Sequence, residues 1–75
     1  MSSGEYTVIL LYSASHAIRA EKILGESGIQ CKLIPVPRHI SSDCGVCVRI
    51  RRHDAEAAGQ ALRAAHMEIE GIQAV

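Results

Sequence analysis

Residues 31–51, CKLIPVPRHISSDCGVCVRIR, decide the fold that this sequence predicts. The first part, residues 31–36, has the pattern of a strand but contains Pro35. Proline has no N–H to donate to a strand ladder, so we expect this strand at the edge of a sheet. The last part, residues 46–51, alternates and predicts a strand with Val46, Val48 and Ile50 on one face and Cys47, Arg49 and Arg51 on the other.

The segments on either side of this stretch supply two more strands and two helices. Residues 5–12, EYTVILLY, are apolar on both alternating sets of positions, as in a central strand. A helix is expected over residues 15–27, with Ser15 as its N-cap and Gly28 at its end. A second helix should begin at Asp54, and residues 69–75 should form a final strand. The apolar stripes of the two helices are Ala17, Ala20 and Leu24, then Ala55, Ala58, Leu62 and Ala65.

The predicted order is βαββαβ, which defines an α+β, ferredoxin-like fold. Right-handed crossovers then produce a four-stranded antiparallel sheet with two helices on one face. Strands one and three are central in this arrangement, and strands two and four are edges. The strand with Pro35 therefore falls at an edge, and the most apolar strand falls in the centre. We expect a single domain over residues 1–75, with residues 1–4 disordered.

The first strand has more apolar residues than one helix-covered face requires. Some apolar surface should therefore stay exposed on the open face of the sheet, beside Cys47 and Arg49. A contiguous patch would indicate a weak homodimer or a contact with another protein. Ordinary exposed apolar area is the alternative.

Composition argues against several classes of protein. Lys and Arg number eight, as do Asp and Glu, and the chain has two Tyr but no Phe or Trp. This balance speaks against a nucleic-acid partner, and we interpret Arg49, Arg51 and Arg52 as a solvated edge. The longest apolar run, residues 8–11, is too short to span a membrane, and no leader is visible. Three cysteines, an odd number, fit a reducing compartment, so we expect a cytoplasmic protein.

Cys44 is the strongest candidate for chemistry, because it lies on a loop of small and polar residues. Gly45 would let a partner approach the sulfur closely, and Arg38 and His39 could favour the thiolate. Asp43 works against the thiolate, and an inert small hydrophobic role for Cys44 is the alternative. The loop, residues 37–45, has Ile40 as its single apolar anchor. We expect Cys44 to be partly exposed near the sheet end, with Arg38 or His39 within reach.

Cys44 and Cys47 also form a C-x-x-C motif. In redox enzymes that motif opens a helix, whereas here it enters a strand. An extended chain would separate the two Cα atoms by about 10 Å, more than a disulfide allows. Zinc would need two further ligands, and His39 is the one imidazole nearby, so we expect no metal and no cofactor. Cys31 should be packed, His16 and His53 exposed, and His66 without a further role.

Three segments carry a resemblance to a known family: HAIRAEK at residues 16–22, IPVPR at 34–38 and ISSDCG at 40–45. Together they resemble the selenium/sulfur (Se/S) carrier protein-like family over residues 6–72. The resemblance implies that Cys44 is the family's signature cysteine and holds sulfur or selenium as a persulfide or perselenide. It also implies a donor enzyme and an acceptor protein as partners. Cys47 departs from the pattern, because that position is usually a small apolar residue.

Three functions follow from these observations. The first is a sulfur or selenium carrier, more a carrier protein than a stand-alone enzyme. The second is a non-catalytic ferredoxin-like interaction or regulatory module in which Cys44 is incidental, since this fold hosts many functions. The third is a thiol redox or metal-binding domain built on Cys44 and Cys47.

Overall fold

The computed structural model describes residues 5–40 and 45–74, which form one antiparallel sheet and two α-helices. Their bounds are β1 (Tyr6–Leu10), α1 (Ala14–Glu26), β2 (Cys31–Pro35), β3 (Val46–Arg51), a 3₁₀ turn (Arg52–Asp54), α2 (Ala55–Ala64) and β4 (Gly71–Ala74). The sheet order is β2-β3-β1-β4. This confirms the ferredoxin-like α+β fold, although β1 and β4 are shorter than predicted. Residues 1–4, expected to be disordered, and Val75 lie outside the described residues.

The position of β2 explains how the sheet accommodates Pro35. The N–H of Val36 donates to the carbonyl oxygen of Gly45 at 3.1 Å. In an antiparallel pair, the backbone N–H groups of successive residues point alternately towards the partner strand and away from it. Because the N–H of Val36 points towards the partner strand, the backbone nitrogen of Pro35, opposite Val46, points to the free edge of the sheet. The missing N–H of Pro35 therefore removes no ladder hydrogen bond.

The main core lies between the helices and one face of the sheet. Central-strand side chains Ile9, Val48 and Ile50 are buried there, together with Leu11 after β1. The predicted helix stripes meet them through five buried residues: Ala17, Ala20, Leu24, Ala58 and Leu62. Alanine has a short side chain, so these positions let both helices pack close to the sheet. Ala55 and Ala65 are half-buried at the margin.

The two ends of α1 are stabilised by local hydrogen bonds. The predicted N-cap, Ser15, is wrong: Ser13 has the extended backbone of a cap, and its side chain accepts the N–H of His16. The predicted end is confirmed, because Gly28 adopts a left-handed φ of 80°. The N–H of Ile29 then bonds to the carbonyl of Leu24 at 2.9 Å, which closes the helix.

The ends of α2 use less typical residues. Asp54 precedes the helix as predicted, but its side chain makes no capping hydrogen bond. At the other end His66 has a φ of 59°, and the N–H of Met67 bonds to the carbonyl of Leu62 at 2.9 Å. His66 therefore takes the left-handed position that glycine usually takes. The sequence analysis expected no further role for His66 and did not predict this backbone conformation.

The sheet face opposite the helices, here called the second face, carries a smaller core. Val8, Leu10 and Cys47 are 0%, 3% and 0% exposed, and Ile40 covers them at 6% exposure. The half-buried residues Ile34 and Val36 pack against this cluster. The expectation of exposed apolar surface beside Cys47 is therefore wrong. The chain after β2 folds back over the sheet and covers the apolar residues on which the homodimer prediction was based. The homodimer itself stays a prediction.

Candidate functional site

The candidate thiol itself lies outside the described residues. Cys44 and the three residues before it, Ser41, Ser42 and Asp43, are not described, so the exposure of Cys44 and its reach to Arg38 or His39 remain predictions. The structure does describe the residues on both sides of this segment. Ile40 precedes it and Gly45 follows it.

Gly45 lies at the entrance to β3 and is exposed. Its φ is 83°, in the left-handed region that disfavours other residues. A Cβ added at Gly45 would meet no heavy atom of the described residues within 4 Å. Backbone conformation, rather than crowding, therefore requires glycine here. The close approach of a partner at Gly45 stays a prediction.

Ile40 fixes the other side of the segment. Its side chain is buried on the second face against Leu10 and Cys47, and its N–H bonds to the carbonyl of Pro37 at 3.0 Å. Ile40 is thus the apolar anchor that the sequence predicted. Arg38 and His39 lie in the turn between Pro37 and Ile40, and both are exposed. The two described residues that flank Cys44 and the three residues before it are therefore both attached to the sheet.

Cys47 has a different environment from the one expected. Its register opposite Leu10 places it on the second face, as the alternation predicted, but it is fully buried beneath Ile40. A buried thiol in an apolar cluster is shielded from reagents in solution. Among the described residues no group of three or more His, Cys, Asp or Glu could hold a metal ion. The redox and metal interpretations of the C-x-x-C motif stay predictions, because Cys44 is not described.

Cys31 is packed, as expected. It is half-buried at the start of β2, and its Sγ donates a hydrogen bond to the carbonyl oxygen of Glu21 at 3.5 Å. Burial raises the pKa of the Cys31 thiol, and the negative charge of Glu21 raises that pKa further. Cys31 therefore has little thiolate at neutral pH.

The histidines at the helix starts have local partners. His16 is exposed, and its Nδ1 lies 2.6 Å from the Oγ of Ser13, in the cap of α1. His53 is also exposed, with its Nε2 3.6 Å from the carboxylate of Asp54. Both were predicted to be exposed, which the structure confirms. For each histidine, a contact at a helix terminus explains the position of the side chain.

The sequence interpretation missed a cavity of about 330 Å³ at the other end of the second face. Its lining includes Lys32, Arg49 and Arg51, together with Tyr6 and Gln30. We call this cavity the basic pocket. The spacing of Arg49 and Arg51 indicated a shared face, but the position of Lys32 beside them depends on strand register. Arg52, the third member of the predicted solvated edge, does not line the pocket.

The fold and the loop define a small ferredoxin-like α+β domain with a cysteine-bearing connection between β2 and β3. A family model described as "Putative Se/S carrier protein-like" matches residues 5–73. The chain belongs to this family, which confirms the resemblance found in the sequence. No curated protein and no solved structure gives a significant match. In the part of the chain that the structure describes, no helix is long and apolar enough to cross a membrane.

Proposed function

We propose that this protein carries sulfur or selenium on the Cys44 thiol, as a persulfide or perselenide, and passes it to an acceptor protein. The observation that supports this most is the family match over residues 5–73, which includes Cys44. We place the protein in the cytoplasm, where reducing systems keep thiols available. It acts there as one domain over residues 1–75.

The transfer needs no external oxidant. The Cys44 thiolate attacks the terminal sulfur of a donor enzyme's persulfide, and the donor's sulfur–sulfur bond breaks as the new one forms. The donor cysteine leaves as a thiolate and takes up the proton that Cys44 released. The acceptor then attacks the terminal sulfur on Cys44 in the same way. The carrier therefore returns to the thiol after each cycle.

The described neighbours of Cys44 support this role. Gly45 is exposed, and the two residues that flank the undescribed part of the loop, Ile40 and Gly45, are attached to the sheet. A carried sulfur must enter two partner sites in turn, and such a connection at the sheet end suits that need. Arg38 and His39 are exposed in the preceding turn. We assign them the role of stabilising the persulfide anion by charge-assisted hydrogen bonds.

The other two thiols are poorer carriers. Cys47 is 0% exposed, so a donor enzyme's active site cannot reach it without displacement of Ile40. Cys31 is half-buried, and its raised pKa reduces the thiolate that would attack a persulfide. These two residues therefore serve as internal controls for Cys44.

Intact-mass analysis after incubation with a cysteine desulfurase and cysteine tests the proposal. We expect the gain of one sulfur atom, which dithiothreitol removes and Cys44→Ser abolishes. Cys31→Ala is the matched control and should keep the adduct. Absence of an adduct on the native protein, or an adduct that persists in Cys44→Ser, contradicts the proposal. A parallel incubation with selenocysteine and its lyase compares selenium with sulfur.

Labelling kinetics separate a carrier from an interaction module. The rate of iodoacetamide modification of each cysteine is measured against pH by peptide mapping. A carrier thiol should react as if its pKa were clearly below the free value of about 8.5. A Cys44 that titrates at the free value favours the interaction module instead. Cys31 should react at higher pH than Cys44 in either case.

A further inference from the structure

We propose that the basic pocket on the second face is a binding site for a phosphate group, either a free ion or part of a small metabolite. Three cationic side chains, Lys32, Arg49 and Arg51, line this cavity of about 330 Å³, and among the residues that the structure describes no carboxylate does. The chain as a whole has as many acidic as basic residues. The positive charge at the pocket is therefore a local concentration, rather than a general property of the surface.

Strand register brings the three cations together. Lys32 on β2 lies directly opposite Arg49 on β3, and Arg51 follows two positions later on the same face. Like charges directly opposite in a sheet destabilise it. Among the described residues, none of these three side chains has a carboxylate within ion-pair distance. An anion bound between them would remove the repulsion.

Tyr6 holds one of these groups in place. The guanidinium of Arg49 lies 4.3 Å from the centroid of the Tyr6 ring, a cation–π contact. Tyr6 pairs with Arg51 across the strands, so the ring is the diagonal neighbour of Arg49. Arg49 is half-buried and has this contact before a ligand arrives, whereas Arg51 and Lys32 are exposed. An ordered guanidinium loses less conformational entropy when it binds an anion.

The chemistry of the lining favours a phosphate over a single carboxylate. Guanidinium groups bind phosphate through paired N–H donors, and the Lys32 ammonium adds a third positive charge. A multivalent anion can neutralise more of this charge than a monovalent one. The volume lies at the small end of ligand pockets, which suits a compact ligand more than a polymer.

This site is separate from the proposed carrier thiol. Gly45 directly precedes β3 and Arg49 lies four residues after it, which is about 13 Å along an extended chain. Phosphate binding therefore does not depend on Cys44. Cys44→Ser should abolish sulfur loading and leave phosphate binding unchanged, so the two proposals can fail independently.

A nuclear magnetic resonance titration of the ¹⁵N-labelled full chain tests the site. Inorganic phosphate, pyrophosphate and a sugar phosphate are added at constant ionic strength, with acetate as the monovalent comparison. We expect saturable shifts at Lys32, Arg49 and Arg51 with the phosphates and weaker ones with acetate. Tighter binding of the sugar phosphate identifies an esterified ligand, and tighter binding of inorganic phosphate or pyrophosphate identifies a free ion.

Two matched variants give the decisive comparison. Arg51→Gln should raise the Kd at least about tenfold, the loss expected for one charge-assisted hydrogen bond. Arg52→Gln makes the same change of charge at the next residue, outside the pocket, and should leave the Kd unchanged. A rise in Tm with pyrophosphate, present in Arg52→Gln and absent in Arg51→Gln, provides an independent readout.

Three results would overturn the proposal. The first is an absence of saturable shifts at the pocket. The second is equal weakening by Arg51→Gln and Arg52→Gln, which would indicate unspecific attraction to net charge. The third is binding of an oligonucleotide or an acidic peptide at these residues without any binding of the phosphates, which would assign the pocket to a macromolecular partner.

Discussion

The two ends of the second face share strands β1 and β3 but have opposite environments. At the end near Gly45, which we call the apolar end, Val8, Leu10 and Cys47 are buried beneath Ile40. At the other end, Arg49 and Arg51 line an open basic pocket. The strands themselves carry different residue types at the two ends, and the segment after β2 adds Ile40 as a cover over the apolar end. Where the chain after β2 folds back, the face becomes a second core, and at the other end the described residues leave a pocket.

Removing the anchor of the covering segment should have the largest effect. Ile40→Ala deletes buried apolar atoms and leaves a cavity above Cys47, so we expect a loss of about 2–4 kcal/mol in the free energy of unfolding. This is a large fraction of the roughly 4–11 kcal/mol typical of a domain of this size. Urea denaturation measures the loss, and faster labelling of Cys47 should accompany it.

Ile18 provides the control for that experiment, because its side chain is 58% exposed on α1. Ile18→Ala should change the free energy of unfolding by less than about 0.5 kcal/mol. Equal losses for the two variants would show that Ile40 does not stabilise the apolar end in solution.

The entrance to β3 should be sensitive to backbone conformation. Gly45→Ala introduces a Cβ at a φ of 83°, and we expect a loss of about 1–2 kcal/mol. Gly25 offers the contrast, because it lies within α1 with no atom within 4 Å of an added Cβ. Gly25→Ala should stabilise the protein by about 0.5–1 kcal/mol. A neutral Gly45→Ala would mean that this residue leaves the left-handed conformation in solution.

The like charges of the basic pocket should slightly lower the free energy of unfolding when no ligand is bound. Lys32→Gln removes one member of the opposed Lys32–Arg49 pair, and we expect a gain of about 0.2–1 kcal/mol at low ionic strength. Salt should reduce this gain, because it screens exposed charges. Lys22, which is exposed on α1, supplies the control substitution. If Lys22→Gln stabilises the protein as much, the gain reflects total charge rather than the pocket.

The smallest expected effect concerns Cys31, which lines the basic pocket and bonds to Glu21 on the helix side. Its pKa is raised in the folded protein, so the folded thiol stays protonated where the unfolded thiol, with a pKa of about 8.5, ionises. Stability should therefore fall as pH increases from about 8.5 towards the folded pKa. Cys31→Val should reduce this slope in denaturation curves measured across alkaline pH, and an unchanged slope would contradict it.

Much of the fold could be predicted from local patterns. The alternation of residues 46–51 and the alanine stripes of both helices specify which side chains face the core. Pro35 indicated an edge strand because a proline cannot donate the ladder hydrogen bond that a central strand needs, whatever the rest of the sheet. The cap at Ser13 and the left-handed His66 were missed, since several residues near a helix end can serve these roles and packing selects one.

The sequence by itself determined the order of the elements, the central and edge strands, the anchor at Ile40 and the family of the chain. These depend on residues close together in the chain, or on short motifs. Only the tertiary structure decided what lies across the second face. Alternation shows which side of a strand a residue occupies, but not which distant segment lies against it. The burial of Cys47 beneath Ile40 and the meeting of Lys32 with Arg49 both follow from strand register and from the path of the chain after β2.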